Sequence, residues 1–359
     1  LQEVATAAEA WYAMHQAVLQ DTFKAKNPIV IYNDHAGFQQ TNTIQGDISA
    51  GTGGVTEGLR NRVVFPIAMT NQQTDHVLGH ELVHAFQYHI ILNGDSTNMR
   101  NFANLPLWMV EGLAEYLSIG RVDAHTALWM RDAVLHDDLP RIKDLDGNKY
   151  FPYRWGQSFW AFVAGKYGDE AIRPLFVTTA KYGFKQAVPL VLHTTSDSLS
   201  ENWRYALRKH YGQWVTKGQK ENLPGKKLLS EENAGKMNIS PVLSPNGKYV
   251  IFLSEKNIFT TDLFLADART GKVLRKVAST ASDSHIDQFD FIESAGTWSP
   301  DDKRFAFGVY EKGQSVLVIR DVFESRKAKK IALPGLPAFA NPAWSPDGKT
   351  IVVSGLVNG

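Results

Sequence analysis

The chain contains no cysteine and carries almost no net charge, and each absence narrows the range of functions. With no cysteine among 359 residues, disulfide scaffolds, thiolate zinc sites, iron–sulfur clusters and thiol nucleophiles are excluded. Any metal must therefore be held by histidine and carboxylate side chains. The formal net charge of +1 provides no field that would attract nucleic acid, so no nucleic-acid partner is expected.

Long apolar runs are also lacking. No run of about 18 apolar residues occurs, so the sequence predicts no membrane-spanning segment. The chain begins at Leu1 inside an amphipathic stretch, without a charged leader, which indicates a trimmed N-terminus. Hydrophobic residues make up 43% of the chain, enough for sizeable cores, and two or three domains are expected at this length.

Apolar spacing predicts a mostly helical N-terminal part. Short β-branched runs at 28–32 and 62–67 predict two strands, and Pro66 favours a sheet edge for the second because proline has no N–H to donate. Glycines at 51–54 are assigned to the turn before that strand. Helical periodicity predicts helices at 3–23, 74–92, 106–119, 124–136, 155–167, 169–181 and 198–214.

The character of the sequence changes near residue 216. The segment 216–232 is polar, contains glycine and proline, and lacks an apolar period, as linkers do. We therefore expect an α+β chain. A mostly helical domain with a small N-terminal sheet would occupy 1–215, and all-β structure would occupy 233–359.

A short turn motif repeats in the C-terminal part. Ser-Pro-Asn-Gly-Lys at 244–248 returns as Ser-Pro-Asp-Asp-Lys at 299–303 and Ser-Pro-Asp-Gly-Lys at 345–349. The interval lies in the range of propeller repeats, roughly 40–55 residues, and strands are predicted at 250–253, 262–266 and 315–319. The repeats resemble TolB-like β-propellers over roughly residues 230–359.

That resemblance has three implications. Only about two and a half blades fit, whereas closed propellers need roughly four to eight, so the propeller is expected to be incomplete. TolB-like propellers imply a bacterial protein that is exported to the periplasm or cell envelope, or secreted, with its signal peptide removed. They also imply a possible protein partner that binds through the propeller.

The strongest chemical signal is His80-Glu81-Leu82-Val83-His84. On a helix, the i,i+4 spacing places both imidazoles on one face, within reach of one Zn²⁺ ion. Glu81 would then lie beside the metal and act as general base on a water molecule. Catalytic zinc sites use three protein ligands, so a third must lie elsewhere. The metzincin pattern does not supply it, because Gln87 and Ile90 stand where glycine and histidine are needed.

A second motif follows, Leu107-Trp108-Met109-Val110-Glu111-Gly112-Leu113-Ala114-Glu115-Tyr116. Together the two motifs resemble the gluzincin metallopeptidases, the thermolysin and aminopeptidase N clan, across roughly residues 28–215. The resemblance implies a His80, His84 and Glu111 zinc site. It also implies that Glu115, one helical turn after Glu111, orients a ligand histidine.

A peptidase also needs a donor for the negative charge that develops on the substrate carbonyl oxygen. Tyr153-Arg154-Trp155-Gly156 resembles the Tyr-x-x-Gly element of the aminopeptidase N family, which implies this role for Tyr153. A structural role for Tyr153 is the alternative, with His125 or Tyr150 as donor. The clan also aligns substrates on an edge strand, and the strand at 62–67 is expected to serve.

The sequence therefore predicts a zinc-dependent peptidase acting on a peptide or protein substrate, as an endopeptidase or an exopeptidase. The propeller would bind partners or gate access. The alternative is a catalytically idle envelope scaffold that recruits partners through the propeller, because propellers are most often binding surfaces.

Overall fold

The computed structural model describes residues 1–33, 35–41, 48, 51–68, 70–213, 225–257, 260–280, 286, 288–289, 296–311, 314–324, 328–336 and 338–356. Its contacts divide the chain into two compact units, Leu1–Leu223 and Pro224–Gly359. The division falls within the range predicted as a linker, of which 216–224 lies outside the described residues. The first unit is mostly helical and the second is mostly strand, so the chain has the predicted α+β composition.

A three-stranded sheet lies in the first unit. Strands β1 (Ile29–Tyr32), β2 (Val55–Glu57) and β3 (Arg62–Pro66) are ordered β1-β3-β2, with β1 parallel and β2 antiparallel to β3. The prediction that the strand at 62–67 forms a sheet edge is wrong. Strand β3 is central, and Pro66 is tolerated because it occupies the last position of the ladder. Strand β2, which the sequence did not predict, follows the glycines in the chain. It forms one edge of the sheet, next to β3.

Helices make up most of the first unit. They are α1 (Gln2–Leu19), α2 (His35–Gln39), α3 (Asn71–Leu92), α4 (Leu107–Ile119), α5 (Ala124–Leu135), α6 (Pro152–Tyr167), α7 (Ile172–Tyr182), α8 (Phe184–Leu192) and α9 (Ser196–Gly212), with 3₁₀ turns at Ser96–Asn104, Ile142–Asp144 and Asp169–Ala171. None of the helices in the described part of the chain combines the length and apolarity that a membrane crossing requires.

Most helices lie where their periodicity predicts, and the differences have local causes. Helix α3 begins three residues early because Thr70 caps it, in a reciprocal capping box with Gln73. Helix α6 also begins early, with Pro152 in its first turn, so Tyr153 lies on the helix rather than before it. Helix α8 was not predicted, and it is short and contains Pro189.

Helices α4 and α6 approach each other through two glycines. A Cβ atom on Gly156 would lie 1.9 Å from the carbonyl oxygen of Trp108, and one on Gly112 would lie 2.3 Å from the backbone of Gly156. The two backbones therefore touch without intervening side chains. On either side of this contact the large rings of Trp108, Phe159 and Trp160 are fully buried in the main core.

In the described residues of the second unit, a short helix α10 (Glu231–Ala234) is followed by three sheets. Strands β4 (Lys236–Leu243), β5 (Tyr249–Asn257), β6 (Thr260–Asp267) and β7 (Val273–Ser279) form an antiparallel meander in chain order. The later strands are β8 (Gln288–Phe289), β9 (Thr297–Trp298), β10 (Arg304–Glu311), β11 (Gln314–Asp321), β12 (Lys329–Ala332), β13 (Ala338–Trp344) and β14 (Ile351–Leu356). The second sheet has the order β12-β11-β10-β8, with β9 also paired to β10, and the third pairs β13 with β14.

The predicted strands at 250–253, 262–266 and 315–319 fall within β5, β6 and β11. The four-stranded meander is the arrangement that a single propeller blade needs. Among the described residues, however, the sheets are open and none closes into a ring. The second unit is therefore a set of small antiparallel sheets, and a closed propeller is not shown.

The three repeated turns share one hydrogen-bond pattern. In the middle copy, the Ser299 hydroxyl donates to Asp301 and accepts the N–H of Arg304. Asp301 Oδ1 also accepts the N–H of Lys303. The equivalent bonds recur in the turns that start at Ser244 and Ser345. The repeat is therefore structural, because serine and an acid or amide two residues later close each turn locally.

Candidate metal centre

Helix α3 carries the histidines of the first motif on consecutive turns. His80 and Glu81 are buried in the middle of the helix, and His84 follows one turn later. Helix α4, which packs against α3, carries Glu111 and Glu115 one turn apart. Residues from the two motifs therefore face each other across one helix pair.

Three ligand atoms converge between these helices. Nε2 of His80 lies 3.1 Å from Nε2 of His84, and the two nitrogens lie 3.2 Å and 3.3 Å from Oε2 of Glu111. Atoms bound about 2.0–2.1 Å from a tetrahedral zinc ion are roughly 3.3 Å apart. The three atoms therefore have the spacing of one face of a zinc coordination tetrahedron. Two imidazoles and a carboxylate are also a donor set that suits zinc.

The second nitrogen of each of these histidines also has a polar neighbour. His84 Nδ1 lies 2.9 Å from Oε1 of Gln87, whose amide nitrogen donates to the carbonyl of Val110 at 2.9 Å. His80 Nδ1 lies 3.1 Å from Oε1 of Glu115, within ion-pair distance but without hydrogen-bond geometry. Such outer partners orient metal-binding imidazoles. Glu115 thus lies beside His80, a candidate ligand histidine, and its orienting role stays a prediction.

Glu115 has further partners that the sequence did not predict. His76, one turn before His80, lies 3.1 Å from Oε1 of Glu115. Arg154 donates to Oε2 of Glu115 at 3.1 Å and to Asp123 at 3.3 Å. His76, His80 and Glu115 also have the spacing of a possible metal site. The guanidinium of Arg154 already supplies a positive charge to Glu115. We therefore interpret this group as residues that position His80, and not as a separate metal site.

The charges of the centre are strongly coupled. Burial by itself would raise the pKa of Glu111, but hydrogen bonds with His80 and His84 hold that pKa well below its usual range. Burial would likewise lower the pKa of His80, yet Glu111 and Glu115 raise it to about 10. The pKa of His84 is raised too, again against burial and mainly by its hydrogen bond with Glu111. Without metal, the carboxylates are ionised and the cluster binds protons. A metal ion must displace those protons from the ring nitrogens.

Glu81 is held against the edge strand β2. The hydroxyl of Thr56 lies 2.7 Å from Oε2 of Glu81 and 2.9 Å from its backbone carbonyl oxygen. A Cβ atom on Gly54 would lie 2.8 Å from Cγ of Glu81, so only glycine leaves room for this carboxylate. Strand β2 thus fixes the orientation of the predicted base.

Tyr153 reaches the centre from the first turn of α6. Its ring stacks on His80 with the centroids 5.8 Å apart and the planes inclined by 22°. Burial, the charge of Glu111 and a hydrogen bond with Glu111 raise the pKa of the Tyr153 phenol above its usual value. The hydroxyl therefore stays protonated and lies at the Glu111 carboxylate, to which it can donate a hydrogen bond.

The alternatives considered for this role lie elsewhere. His125 is exposed on α5. The ring of Tyr150 packs against Trp155 at the main core. Of the three candidate donors, only Tyr153 lies at the candidate metal centre.

Sequence reasoning missed Thr56, His76, Gln87 and Arg154. The spacing of His76, four residues before His80, repeats the motif spacing and could have revealed it. Arg154 lies beside the predicted Tyr153 and could have drawn attention for that reason. No local signal marks Thr56 or Gln87, because their contacts depend on the packing of β2 and α4 against α3.

Comparison with known proteins finds no family model and no curated protein that matches this chain. Solved structures that match part of it include two TolB proteins. TolB from Acinetobacter baumannii is 21% identical over 36% of this chain and 29% of that one, with a TM-score of 0.28. A putative TolB from Agrobacterium tumefaciens is 20% identical over 32% of this chain and 37% of that one, with a TM-score of 0.25. The chain thus spans about a third of the length of these structures, and likeness at this level does not show its family.

Proposed function

We propose that the first unit is a zinc-dependent peptidase of the gluzincin type. One observation carries the proposal, which is the convergence of Nε2 of His80, Nε2 of His84 and Oε2 of Glu111 at 3.1–3.3 Å from one another. These residues would hold the ion. A bound zinc ion would supply a Lewis acid that polarises the scissile carbonyl and lowers the pKa of a water molecule.

Each of the remaining residues has its own role in the reaction. Glu81, oriented by Thr56, accepts a proton from the attacking water and passes it to the leaving amine. Tyr153 donates a hydrogen bond to the oxygen on which negative charge develops. Gln87 and Glu115 orient the two imidazoles.

Strand β2 is the edge best placed to align a peptide substrate. It contacts Glu81 through Thr56, and among the described residues it pairs only with β3. Strand β3, expected to serve from the sequence, is covered on both sides by β1 and β2. An extended substrate added to β2 would run past the predicted base.

Glu57 on β2 is not a good anchor for a substrate amino terminus, because Arg60 and Arg62 already pair with its carboxylate. This favours endopeptidase action. For the second unit, we propose the TolB-like role of binding a protein partner in a bacterial envelope, which its turn repeat supports.

Elemental analysis of the purified chain tests the metal centre. We expect one zinc ion per chain, lost or much weakened in His84→Ala and Glu111→Ala. The matched control is His125→Ala, which removes an exposed histidine of the same unit and leaves zinc content unchanged. A wild-type chain that takes up no zinc even after reconstitution would refute the proposal.

A peptide-library screen then tests catalysis. The zinc-loaded chain should cleave peptides, and Glu81→Gln should bind zinc normally but lose hydrolysis. If both chains bind zinc and neither cleaves any peptide, the centre is not a peptidase site and the scaffold alternative is favoured.

A further inference from the structure

A series of aromatic rings leads from the metal centre to the surface. The ring of Tyr153, which stacks on His80, lies 5.0 Å from the ring of Phe151, and Phe151 lies 5.7 Å from Trp129, measured between centroids. The exposed fractions are 45% for Phe151 and 41% for Trp129. The two outer rings thus form a continuous apolar surface that begins at the predicted oxyanion donor.

The two outer rings are held on rigid elements. Trp129 lies on α5, whose N-terminus is capped by Asp123 through the N–H of Thr126 at 2.7 Å. Phe151 is the N-cap residue of α6. Arg154 in the first turn of α6 binds Asp123, so the ends of the two helices are tied together beside the rings. A preorganised apolar surface binds a partner with little loss of conformational entropy.

Single exposed hydrophobic residues need no explanation, because they are common on protein surfaces. These two differ because they contact each other and the site residue Tyr153. Aromatic rings in such contact offer a further ring both dispersion and edge or stacking interactions. The contacts therefore point to a binding surface for an apolar group next to the reacting centre.

We propose that Trp129 and Phe151 form a substrate subsite that binds an aromatic or large aliphatic side chain of the peptide. This inference rests on the proposed peptidase function and adds a substrate class to it. An extended peptide advances about 3.3–3.6 Å per residue, and Phe151 lies one ring contact beyond Tyr153. The recognised side chain is therefore within about two residues of the cleaved bond.

The test compares two fluorogenic peptide series with the zinc-loaded full chain. The series carry phenylalanine or alanine at each position flanking the cleaved bond. At one position we expect the wild type to prefer phenylalanine by about tenfold or more in kcat/KM, the size of effect that apolar pockets produce. Phe151→Ala and Trp129→Ala should remove most of that preference, while zinc content stays near wild type.

Two variants act as controls. Trp129→Phe keeps a ring at the subsite and should retain the preference. Tyr205→Ala removes a ring that is 65% exposed on α9 and should change nothing. The inference is overturned if the wild type cleaves peptides without an aromatic preference, or if both alanine variants keep it. A zinc-loaded wild type that cleaves no peptide would instead overturn the proposed function itself, and the subsite with it.

Discussion

Replacing Gly156 with alanine tests whether the glycine contact between α4 and α6 sets the geometry of the centre. The added Cβ would lie 1.9 Å from the carbonyl oxygen of Trp108 and 2.6 Å from Cα of Gly112. Both neighbours are backbone atoms, so no side chain can rotate out of the way. The helices must separate by about 1 Å before the closest contact reaches 3.0 Å.

Two opposing terms set the size of the effect. Alanine is favoured over glycine inside a helix by about 1 kcal/mol, while overpacking of a core usually costs about 1–3 kcal/mol and occasionally more. With backbone on both sides the cost should reach or exceed the upper value. We expect a net loss of about 2 kcal/mol, which for a unit of this size lowers the melting temperature by roughly 4–8 °C.

Gly165→Ala is the matched control. Gly165 lies on the same helix and is exposed, and a Cβ atom added there would have nothing within 4 Å. The same substitution there should raise stability by up to about 1 kcal/mol. Urea unfolding followed by the helical circular dichroism signal, which comes mainly from the first unit, measures both variants. Because Tyr153 lies one turn before Gly156, peptide hydrolysis should also fall in Gly156→Ala. A Gly156→Ala chain as stable as Gly165→Ala would refute the reasoning.

Three further predictions concern single side chains. Tyr153→Phe should lower kcat by about 100-fold in the peptide assay, because the oxyanion donor is lost, and zinc content should be unchanged, because His80, His84 and Glu111 all remain. Gln87→Leu should weaken zinc binding by about 10- to 100-fold in a chelator competition titration, because His84 loses its orienting partner. Burial lowers the pKa of His15 to about 4 from the ordinary 6.5, so the unfolded chain takes up a proton before the folded chain as pH falls. Stability from this group is complete above pH 6.5 and is lost towards pH 4. Over that interval the wild type should lose up to about 3 kcal/mol more than His15→Gln in urea titrations, and parallel curves would contradict this assignment.

The candidate metal centre was predictable in part because helical spacing is a local property. The i,i+4 spacing of His80 and His84 places both rings on one face wherever that helix lies. The contact of Glu111 with these histidines depends on tertiary packing, and the sequence suggested it only through resemblance to a known clan. No resemblance points to Gln87 as the partner of His84, because in the sequence this residue only breaks the metzincin motif.

The error at β3 has a simple physical cause. A proline cannot donate to a ladder, but this matters only where the ladder continues past it. Pro66 stands at the end of β3, opposite Tyr32, so the strand can be central. Sequence alone gives the residue but not its position in the register. The predicted start of α3 is three residues too late, because the apolar pattern does not include the capping box that Thr70 and Gln73 form.

Glu111 and Glu115 face opposite edges of one imidazole, that of His80. A ring flanked at both nitrogens by carboxylates on the same helix cannot turn over, so the same nitrogen always faces His84. The packing of α3 on α4 thus sets the ring orientation, and with it the nitrogen that a metal ion would meet, before any ion binds. Small zinc domains unfold without metal. Here the ligand side chains are placed by helix packing, so we expect that a bound ion would be lost to a chelator and taken up again without refolding.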